Sequence, residues 1–271
     1  MMSMRRRTTC RLCGSINVGV VVPLPATTLA DHYRRSGEPE LPRYPIDVYQ
    51  CASCWHVQLL DVVDPRILFH DEFTYMPSNN PALERHFEGY ARRVVDVWSG
   101  DRTPVAVDVG SNDGLYLRVL REHHGATVLG VDPARGPVEY ARSQGIETLH
   151  AFLDDDAVTS VLDRVGPADL VSANNVYAHM DDLSGFTSRV VKILAARGVF
   201  SFEFSYLVDV VEKGLLGTFF HEHMSTHSVT SLEPFLEQHG LRLIDLQRVD
   251  TQGWRGDRHC GATGRWAYTG T

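Results

Sequence analysis

Four of the five cysteines in this 271-residue chain stand in two C-x2-C pairs, Cys10/Cys13 and Cys51/Cys54, with 37 residues between them. Each pair offers two sulfurs from one tight turn, and two such pairs complete a tetrahedral four-sulfur site suited to zinc. Four protein thiolates leave no open position, so a zinc held there is structural. Unrelated or redox-active C-x2-C motifs are the alternative reading. A second group is Asp108-Val109-Gly110-Ser111-Asn112-Asp113-Gly114. Glycines let a backbone approach a ligand closely, and a helix N-terminus directly behind them points N–H groups at it. Asp132 follows Asp108 by 24 residues, where a carboxylate at a strand end can accept ribose hydroxyls. The third group, Phe219-Phe220-His221-Glu222-His223, sets two imidazoles beside a carboxylate. Imidazole titrates near neutrality and suits proton abstraction. His221 and His223 also have the look of metal ligands, but no H-E-x-x-H spacing accompanies them, and His221 reads as structural.

The pattern around these groups predicts the elements that hold them. Val105–Val109 is an apolar strand and Leu115–Glu122 repeats apolar residues at helical spacing, giving strand, glycine turn and helix. Pro81–Trp98 is an amphipathic helix before that strand. Further strands are expected at Thr127–Val131, ending at Asp132, and at Ile146–Leu149, Ala168–Ala173, Gly198–Phe204 and Leu241–Val249. Helices are expected near Pro137–Gln144, Leu183–Ala196 and Ser228–His239. This alternation means an α/β fold with a doubly wound, mainly parallel sheet. His179 follows the fourth strand and faces the crevice at its end. Residues 1–80 are irregular and proline-rich, with strand-like runs at Asn17–Val22 and Val57–Leu60 and a loop at Phe73–Ser78 carrying Phe73 and Tyr75. Such a segment cannot bury a large core, so the metal supplies much of its folding free energy.

Composition narrows the function. The chain is 43% hydrophobic and 22% charged, an ordinary globular balance. A net charge of −8 argues against nucleic-acid binding, which draws on Lys and Arg. The basic opening MMSMRRR lacks the apolar stretch of a secretory signal, and no run approaches the ~20 apolar residues of a membrane span. A cytoplasmic protein is expected, monomeric or weakly oligomeric, with no nucleic-acid or membrane partner.

The first turn carries neither the G-x-G-x-x-G fingerprint nor a P-loop lysine. With Asp108 and Asp132 it resembles the S-adenosylmethionine site of Rossmann-like class I methyltransferases. The order of Cys10-x2-Cys13, VYQCASCWHVQLLDVVDP, VDVGSNDG, NNVYAH, FEFSYLVDVVEKG and FFHEH over residues 8–252 resembles the zinc-containing sugar C-methyltransferases. That family methylates nucleotide-linked 4-keto deoxysugars of antibiotic pathways, typically at C-3. The resemblance implies zinc on Cys10, Cys13, Cys51 and Cys54. It implies S-adenosylmethionine on Asp108, Gly110, Asn112, Asp113, Asp132, Pro133, Phe152, Asn174 and Asn175. It implies His223 as base with Glu222, His179 polarising the ketone, Tyr75 reaching over the methyl donor, and a nucleotide-sugar substrate. Phe220 stands where the family commonly has tyrosine. An O- or N-methyltransferase of another small metabolite, and a non-catalytic cofactor-binding or zinc-module fragment, are the other readings.

From Gln252 the periodicity is lost, and Trp254, Arg255, Arg258, Cys260 and Trp266 fit neither strand nor helix. Dropping one base from a coding of Gly253–Cys260 restores a glycine pair and an alternating strand, so residues 254–271 are expected to be an out-of-frame or disordered tail. The expected domains are then 1–80 (zinc), 81–253 (methyltransferase) and 254–271 (tail). A C-terminal domain that the family places against the sugar nucleotide is expected to be missing, with impaired turnover and an exposed sheet edge.

Overall fold

The computed structural model describes residues 4–30, 32–68, 75–250 and 260–268; side chains from 250 onward, Phe73 and residues 251–259 lie outside the described part. Strands β1 (Met4–Arg6), β2 (Val18–Val22), β3 (Val48–Cys51), β4 (Val57–Leu59) and β5 (Asp61–Val63), with the short helix α1 (Pro65–Leu68), form the N-terminal module. Helix α2 (Pro81–Trp98) leads into β6 (Val105–Val109), α3 (Leu115–His124), β7 (Thr127–Asp132), α4 (Arg135–Ser143), β8 (Thr148–His150) and α5 (Asp155–Val165). Then come β9 (Ala168–Ser172), α6 (Leu183–Ile193), β10 (Leu194–Ser205), α7 (Leu207–Glu212), β11 (Ser225–Thr226), α8 (Val229–Glu237), β12 (Leu241–Asp250) and β13 (Cys260–Tyr268).

The central sheet has seven strands in the order β12-β13-β10-β9-β6-β7-β8. Strands β8, β7, β6, β9 and β10 run parallel, and β13 runs antiparallel between β10 and β12. Period-two alternation divides the core between the two faces. Val107, Val109, Val171, Phe200, Phe202 and Phe204 pack on one face with residues of α5, α6 and α8. Ala106, Leu170 and Val199 face α2 and α3 on the other. Asp108, Ser172, Ser201 and Glu203 alternate onto this second face, where the strands reach their carboxyl ends.

One element is added to those expected, and two expectations are corrected here. The region between the third and fourth strands contains helix α5: Asp154 accepts from the Ala157 N–H at 2.8 Å, and Asp155 and Asp156 occupy the first turn. Acids are favourable at the helix end where N–H groups are unpaired. The disordered alternative for the tail is corrected for Cys260–Tyr268, which is a nine-residue strand paired to both neighbours. Backbone N–H and C=O groups are the same in every residue but proline, so a segment without side-chain periodicity can still fill a slot between two strands. β10 is therefore covered at that edge, and the sheet extends past residue 253. Helix α6 ends at Ile193 rather than Ala196, because Leu194 is already extended and starts β10.

The two modules share a sheet. β11 pairs with β4, giving the four-stranded order β11-β4-β3-β2, so Ser225 and Thr226 of the second module complete a sheet of the first. The boundary at residue 80 is thus crossed by hydrogen bonds, including Leu59 N–H to the Met224 carbonyl at 2.9 Å.

Candidate active site and metal centre

Both C-x2-C knuckles are the same turn. The Gly14 N–H donates to the Cys10 carbonyl at 3.0 Å, and the Trp55 N–H donates to the Cys51 carbonyl at 2.9 Å. The closing residue is left-handed in each, Gly14 at φ 71° and Trp55 at φ 63°. The four sulfurs lie within 4.8 Å of one another, with Cys10–Cys54 at 3.5 Å and Cys13–Cys51 at 3.6 Å. A tetrahedral ion with Zn–S bonds of ~2.3 Å requires sulfur separations of ~3.8 Å, so the cluster fits zinc with all four positions taken by protein.

A cavity of about 650 Å³ opens at the carboxyl ends of β6, β7 and β9. All thirteen non-metal residues singled out from the sequence line it: Tyr75, Asp108, Gly110, Asn112, Asp113, Asp132, Pro133, Phe152, Asn174, Asn175, His179, Glu222 and His223. The glycine turn is built around Gly110, whose φ is 71°. A Cβ there would lie 2.3 Å from Val176 Cγ2. Asn112, also left-handed at φ 49°, donates its N–H to Asp132 Oδ2 at 2.8 Å and its amide to the Tyr75 carbonyl at 2.9 Å. Asp113 is buried in the turn and accepts from the Ser78 and Leu115 N–H groups at 2.8 and 3.2 Å. It braces the loop before α2 against the turn.

Asp132 takes a second backbone donor, Ala134 N–H to Oδ1 at 2.8 Å, which fixes its carboxylate in the cavity wall. Burial still holds its carboxyl above the ordinary value. Asp108 accepts from Ser172 Oγ at 2.6 Å, and burial pushes it up to about 7. Buried carboxylates held this way are poised for a cationic or hydroxyl-bearing ligand. The Asn174 amide has both its oxygen and nitrogen shielded from solvent and without a protein partner. Buried polar groups are normally paired, so these atoms await the ligand's polar groups. Phe152, 43% exposed, offers an apolar ring to a flat heterocycle. The acids, the Asn174 amide and the Gly110 cradle thus fit an adenosyl amino acid.

The same cavity is lined by the proton-handling groups. His223 donates Nδ1–H to the Thr218 carbonyl at 2.8 Å. A carbonyl can only accept, so this bond leaves the lone pair on Nε2. The Phe220 ring lies 3.9 Å from the His223 ring, and burial lowers the imidazole to about 4. His179 stacks 5.1 Å from His223, and burial holds it well below its usual range. Glu222 is buried beside them. His221 instead points to the N-terminal module, its Nε2 3.3 and 3.2 Å from the Tyr44 and Pro45 carbonyls, in keeping with its structural reading.

The structure adds Glu203, which sequence reading passed over. It is buried on the cavity wall and its Oε1 lies 2.7 Å from Nε2 of His86 on α2. The signal was an acid inside the otherwise aromatic-alternating strand FSFEFS. Asp181 and Arg189, also on the lining, were missed because one is an ordinary acid just before a helix and the other an ordinary cation within it. Among the described residues, no helix is long and apolar enough to cross a membrane.

Comparison with known proteins agrees with this geometry. Residues 10–69 match a family described as "Putative zinc binding domain", and residues 83–246 match the methyltransferase domain family. The chain is 33% identical over 256 residues to C-methyltransferase NovU of Streptomyces niveus, covering 90% of this chain and 58% of that relative. It thus spans under two thirds of the relative's length. Among solved structures, the magnesium protoporphyrin IX methyltransferase of Synechocystis PCC 6803 with bound SAH aligns with a TM-score of 0.51 at 14% identity, over 74% of this chain and 91% of that one. An S-adenosylmethionine-dependent methyltransferase of Clostridium acetobutylicum aligns with a TM-score of 0.53 at 15% identity, over 69% and 92%. These two likenesses concern the fold.

Proposed function

The chain belongs to the methyltransferase domain family, and from that premise we propose that it is an S-adenosylmethionine-dependent C-methyltransferase with a structural zinc. Its proposed acceptor is a nucleotide-linked 4-keto deoxysugar, methylated at C-3. The observation that carries this reading is the convergence of Glu222, His223 and His179 on the cavity that Asp108 and Asp132 also line. Oxygen and nitrogen acceptors have lone pairs and need no carbon acid. A carbon acceptor needs a base for its proton and a donor for the enolate oxygen. Kinship with a C-methyltransferase supports the same choice.

S-adenosylmethionine, when bound, supplies an electrophilic methyl on a sulfonium. Asp132 would hold the ribose hydroxyls, Asp108 the amino-acid ammonium, and the Asn174 amide the remaining polar groups. Nε2 of His223 takes the proton from the carbon beside the ketone. The C–H electron pair passes into an enolate, whose carbon is the nucleophile that a sulfonium methyl would require. An imidazole of depressed pKa is a weak base, so Glu222 holds the departing proton and passes it to solvent. His179 donates to the ketone oxygen as charge develops there; a neutral imidazole serves as such a donor.

Solvent-deuterium exchange at C-3 of TDP-4-keto deoxysugars, followed by mass spectrometry without and with the methyl donor, tests the reading. Exchange and methylation are both expected in the native chain. Both should fall by ~10²–10⁴-fold in His223→Ala, the range of a lost general base, with a smaller loss in Glu222→Gln. Methylation of oxygen or nitrogen that survives both substitutions would reject the carbon-acid mechanism.

A further inference from the structure

Arg11 sits between two metal ligands, Cys10 and Cys13, yet its guanidinium serves the other module. Its side chain is fully buried. Nε donates to Asp181 Oδ1 at 3.1 Å, and Nη2 lies 3.0 Å from the same oxygen. Nη1 donates to Gln58 Oε1 at 3.1 Å and to the Leu59 carbonyl. Arg7 grips the same aspartate, donating to its main-chain carbonyl at 3.0 Å and its carboxylate at 3.3 Å, and Arg5 also pairs with it. Asp181 lies on the cavity wall, two residues beyond His179 and separated by Met180 alone from the single turn Tyr177–His179. Gln58, the other partner of Arg11, stands opposite Ser225 on β11, two residues beyond His223.

Burying a guanidinium costs several kcal/mol before its partners repay it, and apolar packing of like volume is commonly as stable. A clamp needed only to join two modules has no call for such a pair. What an arginine adds is direction, since its planar fork fixes the orientation of what it holds. We propose that Arg11 is a positioning residue for His179: the metal-ordered knuckle fixes Arg11, Arg11 fixes Asp181, and Asp181 sets the turn that presents the imidazole to the cavity. The zinc is thereby coupled to the proton-handling wall and not to the cofactor wall. This rests on the proposed function only in giving His179 a substrate-facing role; the positioning itself is measurable without substrate.

The test uses the full zinc-loaded chain with Arg11→Met, Arg11→Lys and Asp181→Asn. Metal content, S-adenosylhomocysteine affinity by calorimetry, and the imidazole signals of His179 and His223 by NMR are read together, with His179→Gln assigning the peak. Arg11→Met and Asp181→Asn are expected to keep the zinc and the S-adenosylhomocysteine affinity while shifting or broadening the His179 signal. Arg11→Lys, with a charge but no fork, should recover only part of the native signal. Where the native chain methylates a keto sugar, kcat should fall about 10–100-fold, as small misplacements do, with KM for the methyl donor unchanged. Failure of the native chain to act on any keto sugar would count against the proposed function and leave the NMR result to decide this one. Should Arg11→Met lose the metal or the fold, Asp181→Asn decides, because it leaves the knuckle untouched. An unchanged His179 signal in zinc-loaded Asp181→Asn overturns the proposal.

Discussion

Asp108 and His223 line one cavity, and burial drives both toward their neutral forms. The Asp108 carboxyl is raised from 3.8 to about 7. Between those values the folded chain keeps a proton that the unfolded chain has released. The stability from this site is therefore full below pH 3.8 and is lost as pH climbs through 7. His223 behaves conversely. Its imidazole is lowered from 6.5 to about 4, so its contribution is full above pH 6.5 and is lost as pH falls toward 4. Asp108→Asn keeps an oxygen for Ser172 and removes the ionisation. Urea unfolding of the ligand-free chain should show this variant more stable than the parent by ~1–3 kcal/mol at pH 8, with the gain shrinking as pH falls from about 7 toward 4. The same variant should bind S-adenosylhomocysteine more weakly at pH 8. A gain independent of pH would mean that Asp108 titrates alike in the folded and unfolded chains, against the effect of burial.

At the scale of elements, the glycine turn between β6 and α3 sets where the ligand can sit, and Gly110 is the residue it least tolerates changing. A side chain there would be left-handed and 2.3 Å from Val176 Cγ2. Gly110→Ala should cost ~2–4 kcal/mol by chemical denaturation, combining ~1–2 kcal/mol of backbone strain with a core overlap. Adding Val176→Ala should recover the overlap part and leave the strain; no recovery would place the whole cost in the backbone. This turn was legible from the sequence because VAVDVGSNDG pairs a buried-strand pattern with glycines, and FSFEFS likewise shows its two faces by alternation. The four cysteines were legible because spacing fixes a knuckle turn. Helix α5 was not, because three acids in a row resemble a loop until Asp154 is seen capping it. β13 was not either, because its place depends on the open slot between β10 and β12 rather than on its own pattern. The two-residue β11 was invisible for a related reason: its partner β4 is more than 160 residues away in the chain.

Across the whole molecule, the zinc module is joined to the second module at the very segment that carries the candidate base. β11 begins two residues after His223 and is an edge strand of the module's four-stranded sheet. His56 Nε2 lies 3.1 Å from Ser225 Oγ and its ring stacks on His227, tying the same segment down from the other side. The module's own apolar clusters are small, Ile46, Val48, Val57 and Leu59 in one and Leu29, Val63 and Leu68 in another. Structural zinc contributes ~10–16 kcal/mol in small zinc peptides, comparable with the whole ~5–15 kcal/mol net stability of a typical domain. Chelation should therefore unfold the module, and the loss should pass through β4 to β11. The cofactor wall is built on β6 and β7, whose partners are parallel strands of the central sheet, and does not depend on that link. Hydrogen exchange after stripping the metal should show residues 10–59 and 219–228 losing protection together, while 105–109 and 127–132 keep theirs. S-adenosylhomocysteine should still bind the stripped chain, while any methyl transfer collapses. Retained protection at 219–228 would show that the candidate base is held by its own module, and uniform loss would show one cooperative unit; either pattern contradicts the selective coupling argued from the shared sheet.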